Sequence, residues 1–127
     1  MRWICLFALL LPLPAAAFTA INGMKVQQIS PTEIAVELDV RRIETQYWCA
    51  AGDFAKRALG LDGKTRMWRA SPKPRKAGHG MTFTLDPAKK TANAGPSQFG
   101  SGPKDGSVSV AMAAGNYCRM EYPFHRR

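Results

Sequence analysis

Polar and apolar positions alternate most regularly in EIAVELDV, residues 33–40. There Ile34, Val36, Leu38 and Val40 face one way, and Glu33, Glu37 and Asp39 the other. A period of two with one charged face predicts a strand in a sheet that is packed on one side and wet on the other. The preceding NGMKVQQIS predicts a partner strand, joined to it at Ser30-Pro31-Thr32. In TQYWCAAGDFAKRALG the period lengthens. At about 100° per residue, Ile43, Tyr47, Trp48, Ala51, Phe54, Ala55, Ala58 and Leu59 form one apolar helical face, and Gly60 stands as the C-terminal stop. Cys49 falls on the other side of the wheel with Thr45, Gly52, Asp53 and Lys56.

Alternation returns in KTRMWRA and in MTFTLD, where Met81, Phe83 and Leu85 are expected inward, with the loop SPKPRKAGHG between them. From Pro87 to Gly106 no period is visible, and a loop of that length is either functional or mobile. SVSVAM predicts a further strand with Val108, Val110 and Met112 inward, and NYCRMEY a last short strand or an extended tail. The order is β-β-α-β-β-β. It predicts the α+β class, with one amphipathic helix packed on an antiparallel sheet of about five strands.

The N-terminus changes the setting. Arg2 precedes an apolar run from Trp3 to Leu13, then small residues, in MRWICLFALLLPLPAAAFTA. The run suits a signal-peptide core and is too short to span a bilayer. Ala15 and Ala17 match the residues that signal peptidase prefers, so residues 1–17 are expected to be a signal peptide. Residues 18–127 would then form a single disulfide-bridged domain, exported to the periplasm or the extracellular space.

Cys5 would leave with the leader, and an exported chain keeping Cys49 and Cys118 reads first as a disulfide protein. The wheel then implies that the segment around Cys118 lies over the outer or lateral side of the helix. A free or intermolecular thiol, a nucleophile and a metal ligand are the competing readings of Cys49. A thiolate needs a helix N-terminus or a basic neighbour and a histidine relay, and the histidines, His79 and His125, stand in loop and tail. No C-x-x-C or H-x-x-x-H spacing points to metal, and no cofactor is implied.

Composition adds a basic balance, with a formal net charge of +9. Lys64, Arg66, Arg69, Lys73, Arg75 and Lys76 follow one another with no acid among them, and Trp68 is interleaved. Together with His79 these are the candidate binding residues. A positive field of this kind suits an acidic protein, an acidic polysaccharide or a phospholipid surface. Nucleic acid is disfavoured, because export removes the chain from the cytoplasm and no recognition helix or stacking motif is present. GPSQFG is not a nucleophile elbow, and the acids of residues 33–39 lack a partner for glycosidase chemistry.

The Y-W-C-A-A helix start at Tyr47–Ala51 and the T-F-T-L-D-P strand end at Thr82–Pro87 resemble a pattern in small exported bacterial proteins. The resemblance implies a bacterial envelope setting and brings no activity with it. The expected function is that of a small exported, non-enzymatic binding or accessory protein engaging an anionic partner through a basic strand-loop surface. A small secreted hydrolase or thiol enzyme using Cys49 or His79, and a structural envelope component, are the alternatives.

Overall fold

The computed structural model describes residues 18–72, 76–92 and 105–121. The expected leader, residues 1–17, lies outside them. The fold is α+β, with a six-stranded antiparallel sheet in the order β1-β2-β3-β5-β4-β6. The strands are β1 Phe18–Thr19, β2 Lys25–Ser30, β3 Glu33–Val36, β4 Arg66–Arg69, β5 Met81–Thr84 and β6 Val108–Ser109. Helix α1 spans Glu44–Asp53 and continues as π-helical turns over Phe54–Ala58. Gly60, at φ +66°, turns the chain away as the sequence predicts.

Directly paired residues share a face. Val26, Val36 and Met81 form one inward row, and Ile34 and Phe83 continue it beneath the helix. Trp48 fills the space between helix and sheet, tilted against Phe83 with ring centroids 4.6 Å apart. At the other end of the helix, Phe54 meets the ring of Phe18 edge-on at 5.2 Å, which ties the short β1 into the core.

Three expectations are corrected. Leu38 and Val40 do not continue the buried face of β3, and Val40 is 74% exposed. The ladder with β5 ends at Val36–Met81, and the last bond to a strand is the Glu37 N–H on the Lys25 carbonyl of β2 at 2.9 Å, so Leu38 and Val40 lie beyond the sheet. Asp39 is instead captured by Tyr47, whose hydroxyl accepts its N–H at 2.9 Å and donates to its carbonyl at 3.0 Å. Ile43, placed by the wheel on the apolar face, caps the helix and is 65% exposed. Ala58 also faces outward, because the wider π-helical turns rotate it off the α-helical stripe.

The third correction concerns the C-terminal part. β6 covers only Val108–Ser109, and the chain then enters a second helix, α2, π-helical over Met112–Tyr117 and α-helical over Cys118–Glu121. Ser109 starts it by accepting the Met112 N–H at 3.1 Å, a side-chain N-cap that overrides the alternation of SVSVAM. NYCRMEY is therefore helical through Glu121, neither a strand nor an extended tail.

Helix α2 lies on the side of α1 that carries Cys49 and Gly52, as the wheel implies. Cys49 and Cys118 form a disulfide that joins the two helices. At Gly52 the backbones approach so closely that a Cβ would stand 2.5 Å from the Ala113 Cβ. Helix α1 is thus covered on both sides, which explains why Tyr47 through Ala55 are all buried.

Candidate functional site

The basic segment does not form one open surface. Strand β4 sends Met67 and Arg69 to the helix side and Arg66 and Trp68 to the outer side. Lys64 is exposed in the turn before β4, where its N–H bonds the Asp62 carboxylate at 3.1 Å. Arg66 is half-buried and committed to Ser107, donating from Nε and Nη2 to the hydroxyl at 3.0 and 2.9 Å and from Nη2 to the carbonyl at 3.2 Å. It clasps β4 to the start of β6.

Trp68 is 7% exposed and packs on the outer face beside Thr84. Its indole N–H makes no full hydrogen bond, yet it lies near enough to Asp105 to help hold that carboxyl low. The Ser107 hydroxyl is the larger cause of that lowering. The end of the 87–106 loop therefore lies beside Trp68, which is not presented for stacking on a ligand. Residues 93–104 of that loop are outside the described residues.

Arg69 is 2% exposed. Its guanidinium donates to Glu44 at 3.3 Å, to the Ser71 carbonyl at 3.1 Å and to the Pro72 carbonyl at 2.9 Å. Burial pulls its pKa down, and the Glu44 carboxylate opposes this. The same carboxylate accepts the Trp48 indole N–H at 3.3 Å. Tyr117 from α2 packs edge-on against Trp48, and its pKa is pushed up to about 12, first by burial and then by the Glu44 charge. Arg69 thus anchors the start of the basic loop to the N-terminal end of α1. The wide planar fork of the guanidinium suits this role, since Nε, Nη1 and Nη2 each serve a separate acceptor while the charge stays fixed on burial.

Lys73 and Arg75 lie outside the described residues, as does His125. Lys76 and His79 are exposed in a turn closed by the His79 N–H on the Lys76 carbonyl at 3.1 Å. Of the sequence-derived candidates that are described, Lys64, Lys76 and His79 are on the surface, whereas Arg66, Trp68 and Arg69 serve the scaffold to differing degrees. Cys49 is fully buried in its disulfide and offers no thiol.

A feature that the sequence reading missed lies next door. Leu38, Val40 and Ile43 are exposed aliphatics within one short loop. Arg41, whose side chain is 81% exposed, and Arg42 both pair with Asp39, at 3.1 and 3.3 Å. These bonds, Arg41's above all, hold the Asp39 carboxyl below its usual range. The signal available in the sequence was D-V-R-R, an aspartate able to bind its own next turn and so end the strand.

Among the described residues, no helix is long and apolar enough to cross a membrane. No three His, Cys, Asp or Glu side chains among them gather as a metal site requires. No protein-family model, no curated protein and no solved structure matches this chain.

Proposed function

We propose that this chain is a small exported, non-enzymatic binding or accessory protein that associates reversibly with an anionic partner through exposed cations of the 64–76 segment. The observation that carries the reading is how the carboxylates are used. Glu33 pairs with Lys89, Asp39 with Arg41 and Arg42, Glu44 with Arg69, and Asp53 with Arg57. Asp86 caps a 3-10 turn, Asp62 holds the turn before β4, and Asp105 binds Ser107. With seven of the nine acids held by these contacts and a formal net charge of +9 for the full sequence, the positive excess falls on the outside, where Lys64 and Lys76 are exposed. A field of that sign raises encounter rates with polyanions and falls with salt.

The sequence of residues 1–17 and the disulfide support an exported setting. The alternatives draw less support. A thiol mechanism would need a sulfur that is locked in the Cys49–Cys118 bridge, and His79 stands in an exposed turn rather than beside that sulfur in the core.

The test uses protein recovered from the periplasm after export of the full chain. Binding of a labelled acidic polysaccharide would be followed by anisotropy across a salt series. A variant with Gln at Lys64, Lys73, Arg75 and Lys76 keeps Arg66 and Arg69, since these hold the fold. Binding by the wild type that weakens with salt, and is at least about tenfold weaker in the variant at equal melting temperature, supports the proposal. Equal binding by both proteins, or by neither, overturns it.

A further inference from the structure

The dipeptide Asn22-Gly23 lies in the turn between β1 and β2, away from the basic segment. In an open chain this pair is prone to deamidate, because glycine carries no side chain to shield its own backbone nitrogen. That nitrogen gives up its proton to solvent base and attacks the Asn22 Cγ. The new C–N bond closes a succinimide ring, and Nδ2 leaves as ammonia. Water then opens the ring at either carbonyl, to aspartate or to isoaspartate. The net reaction takes up one water and releases one ammonia.

The fold engages the atoms that this reaction needs. The Gly23 N–H, whose proton must leave, donates to the Ala20 carbonyl at 2.8 Å. The Asn22 Nδ2, the leaving group, donates to the Gln46 carbonyl at 2.9 Å. The Asn22 Oδ1 accepts the Met24 N–H at 3.2 Å, so the side chain is fixed at both ends of its amide. Asn22 is 8% exposed, which keeps base and water from Cγ. Three further bonds close the turn. The Ala20 N–H reaches the Met24 carbonyl at 2.8 Å, the Ile21 N–H the buried Asp53 carboxylate at 2.8 Å, and Arg42 the Asn22 carbonyl at 2.8 Å.

The same turn requires both members of the labile pair. Residue 23 sits at φ +87°, a conformation that favours glycine. Residue 22 must donate to Gln46 and accept from Met24, which an amide does and a carboxylate does not. Conversion would therefore cut the joint between the turn and the first turn of α1. Aspartate sets a buried anionic oxygen against the Gln46 carbonyl, with no proton between them. Isoaspartate adds a methylene to the backbone and displaces Gly23.

We propose that Asn22-Gly23 is a latent deamidation site, intact while the 20–24 turn is closed and converted when it opens. Once converted, the turn does not close as before, so a chain that stays open is marked by a change that refolding does not reverse. This is independent of the anionic-partner reading.

The test incubates the oxidised wild-type protein in native buffer and in guanidinium chloride above its unfolding midpoint, at one mildly alkaline pH. Aspartate and isoaspartate at position 22 are quantified by peptide mapping. Asn116, which precedes the bulky Tyr117, is read in the same digests and converts slowly in both arms. Asn22 converts at least about tenfold faster in the unfolded arm, because only the open fraction of the folded protein reacts. Equal rates in the two arms overturn the proposal, as does an Asn22 that stays intact when unfolded. Arg42→Gln removes the bond to the Asn22 carbonyl and speeds conversion at a temperature where circular dichroism shows both proteins folded. Conversion no faster than wild type there overturns the assignment of protection to this turn. Asn22→Asp reproduces one product and melts below wild type or fails to fold; a variant that melts as high as wild type overturns the claim that conversion bars closure.

Discussion

Replacing Gly52 by alanine sets two measurable effects against each other. In an isolated helix interior the change is favourable by about 0.5–1 kcal/mol, because glycine gives up more backbone freedom on folding. Here the new Cβ would stand 2.5 Å from the Ala113 Cβ, 2.8 Å from the Ala114 backbone nitrogen and 3.0 Å from the Ala113 carbonyl carbon. Two of the three obstacles are backbone, so no rotamer change relieves them, and α2 must move outward to make room. It is not free to do so, because the Cys49–Cys118 bridge fastens it one helical turn away. Overpacking of this kind costs about 1–3 kcal/mol, which exceeds the propensity gain. The net expectation is a loss of about 1–2 kcal/mol, or roughly 4–8 °C in melting temperature for a domain of this size. Gly115→Ala is the internal control. It also lies in a helix, but nothing comes within 4 Å of the place its Cβ would take. That variant should melt slightly higher than wild type. Circular dichroism melts of both oxidised variants decide the matter. A Gly52→Ala protein as stable as wild type, with the disulfide formed, would refute the seating of α2 on residues 49–53.

Serine at both Cys49 and Cys118 removes the constraint on a loop with a sequence separation of 69. The chain-entropy model values this at roughly 4 kcal/mol, measurable as a fall in the urea midpoint, with the unfolding slope checked for compactness of the denatured state. Arg69→Gln leaves the Glu44 carboxylate without its cation and the Ser71 and Pro72 carbonyls without their donor. It should cost roughly 2–4 kcal/mol by denaturant titration, whereas Lys64→Gln on the surface should change stability by less than about 0.5 kcal/mol. Tyr117 keeps its proton up to about pH 12 when folded, while the unfolded chain releases it near its ordinary value of 10.0. The folded state therefore binds more protons across that window, and stability is full below about pH 10 and falls as pH rises towards 12. The fall should be visible in urea midpoints across that range and be flattened in Tyr117→Phe; an unchanged slope would contradict the burial assigned to this hydroxyl.

Local pattern carried much of the framework. The alternation at Ile34 and Val36, the helical period from Tyr47 to Ala55 and the glycine stop at Gly60 each depend on neighbours within one element, so they were readable before any tertiary contact was known. The paired cysteines fall in the same group, since the wheel already put Cys49 on the side that α2 covers. The α+β class follows from these features together. The N-cap at Ser109 was equally local, but it stood behind an alternating SVSV whose period favoured the wrong element.

The class of the fold, the staple and the sign of the charge were thus settled by the chain alone, because period, cysteine count and composition need no knowledge of distant contacts. Which cations face water emerged only on folding. Arg66 and Arg69 look alike in sequence, and nothing local reveals that Ser107 and Glu44 wait for them across distant parts of the chain. The end of β3 was likewise set by its neighbours: the ladder with β5 ends at Val36–Met81 and the last bond to β2 is made by Glu37, and that turned Leu38 and Val40 from core positions into surface ones. Burial is a relation between segments, and the polarity of one segment cannot specify it.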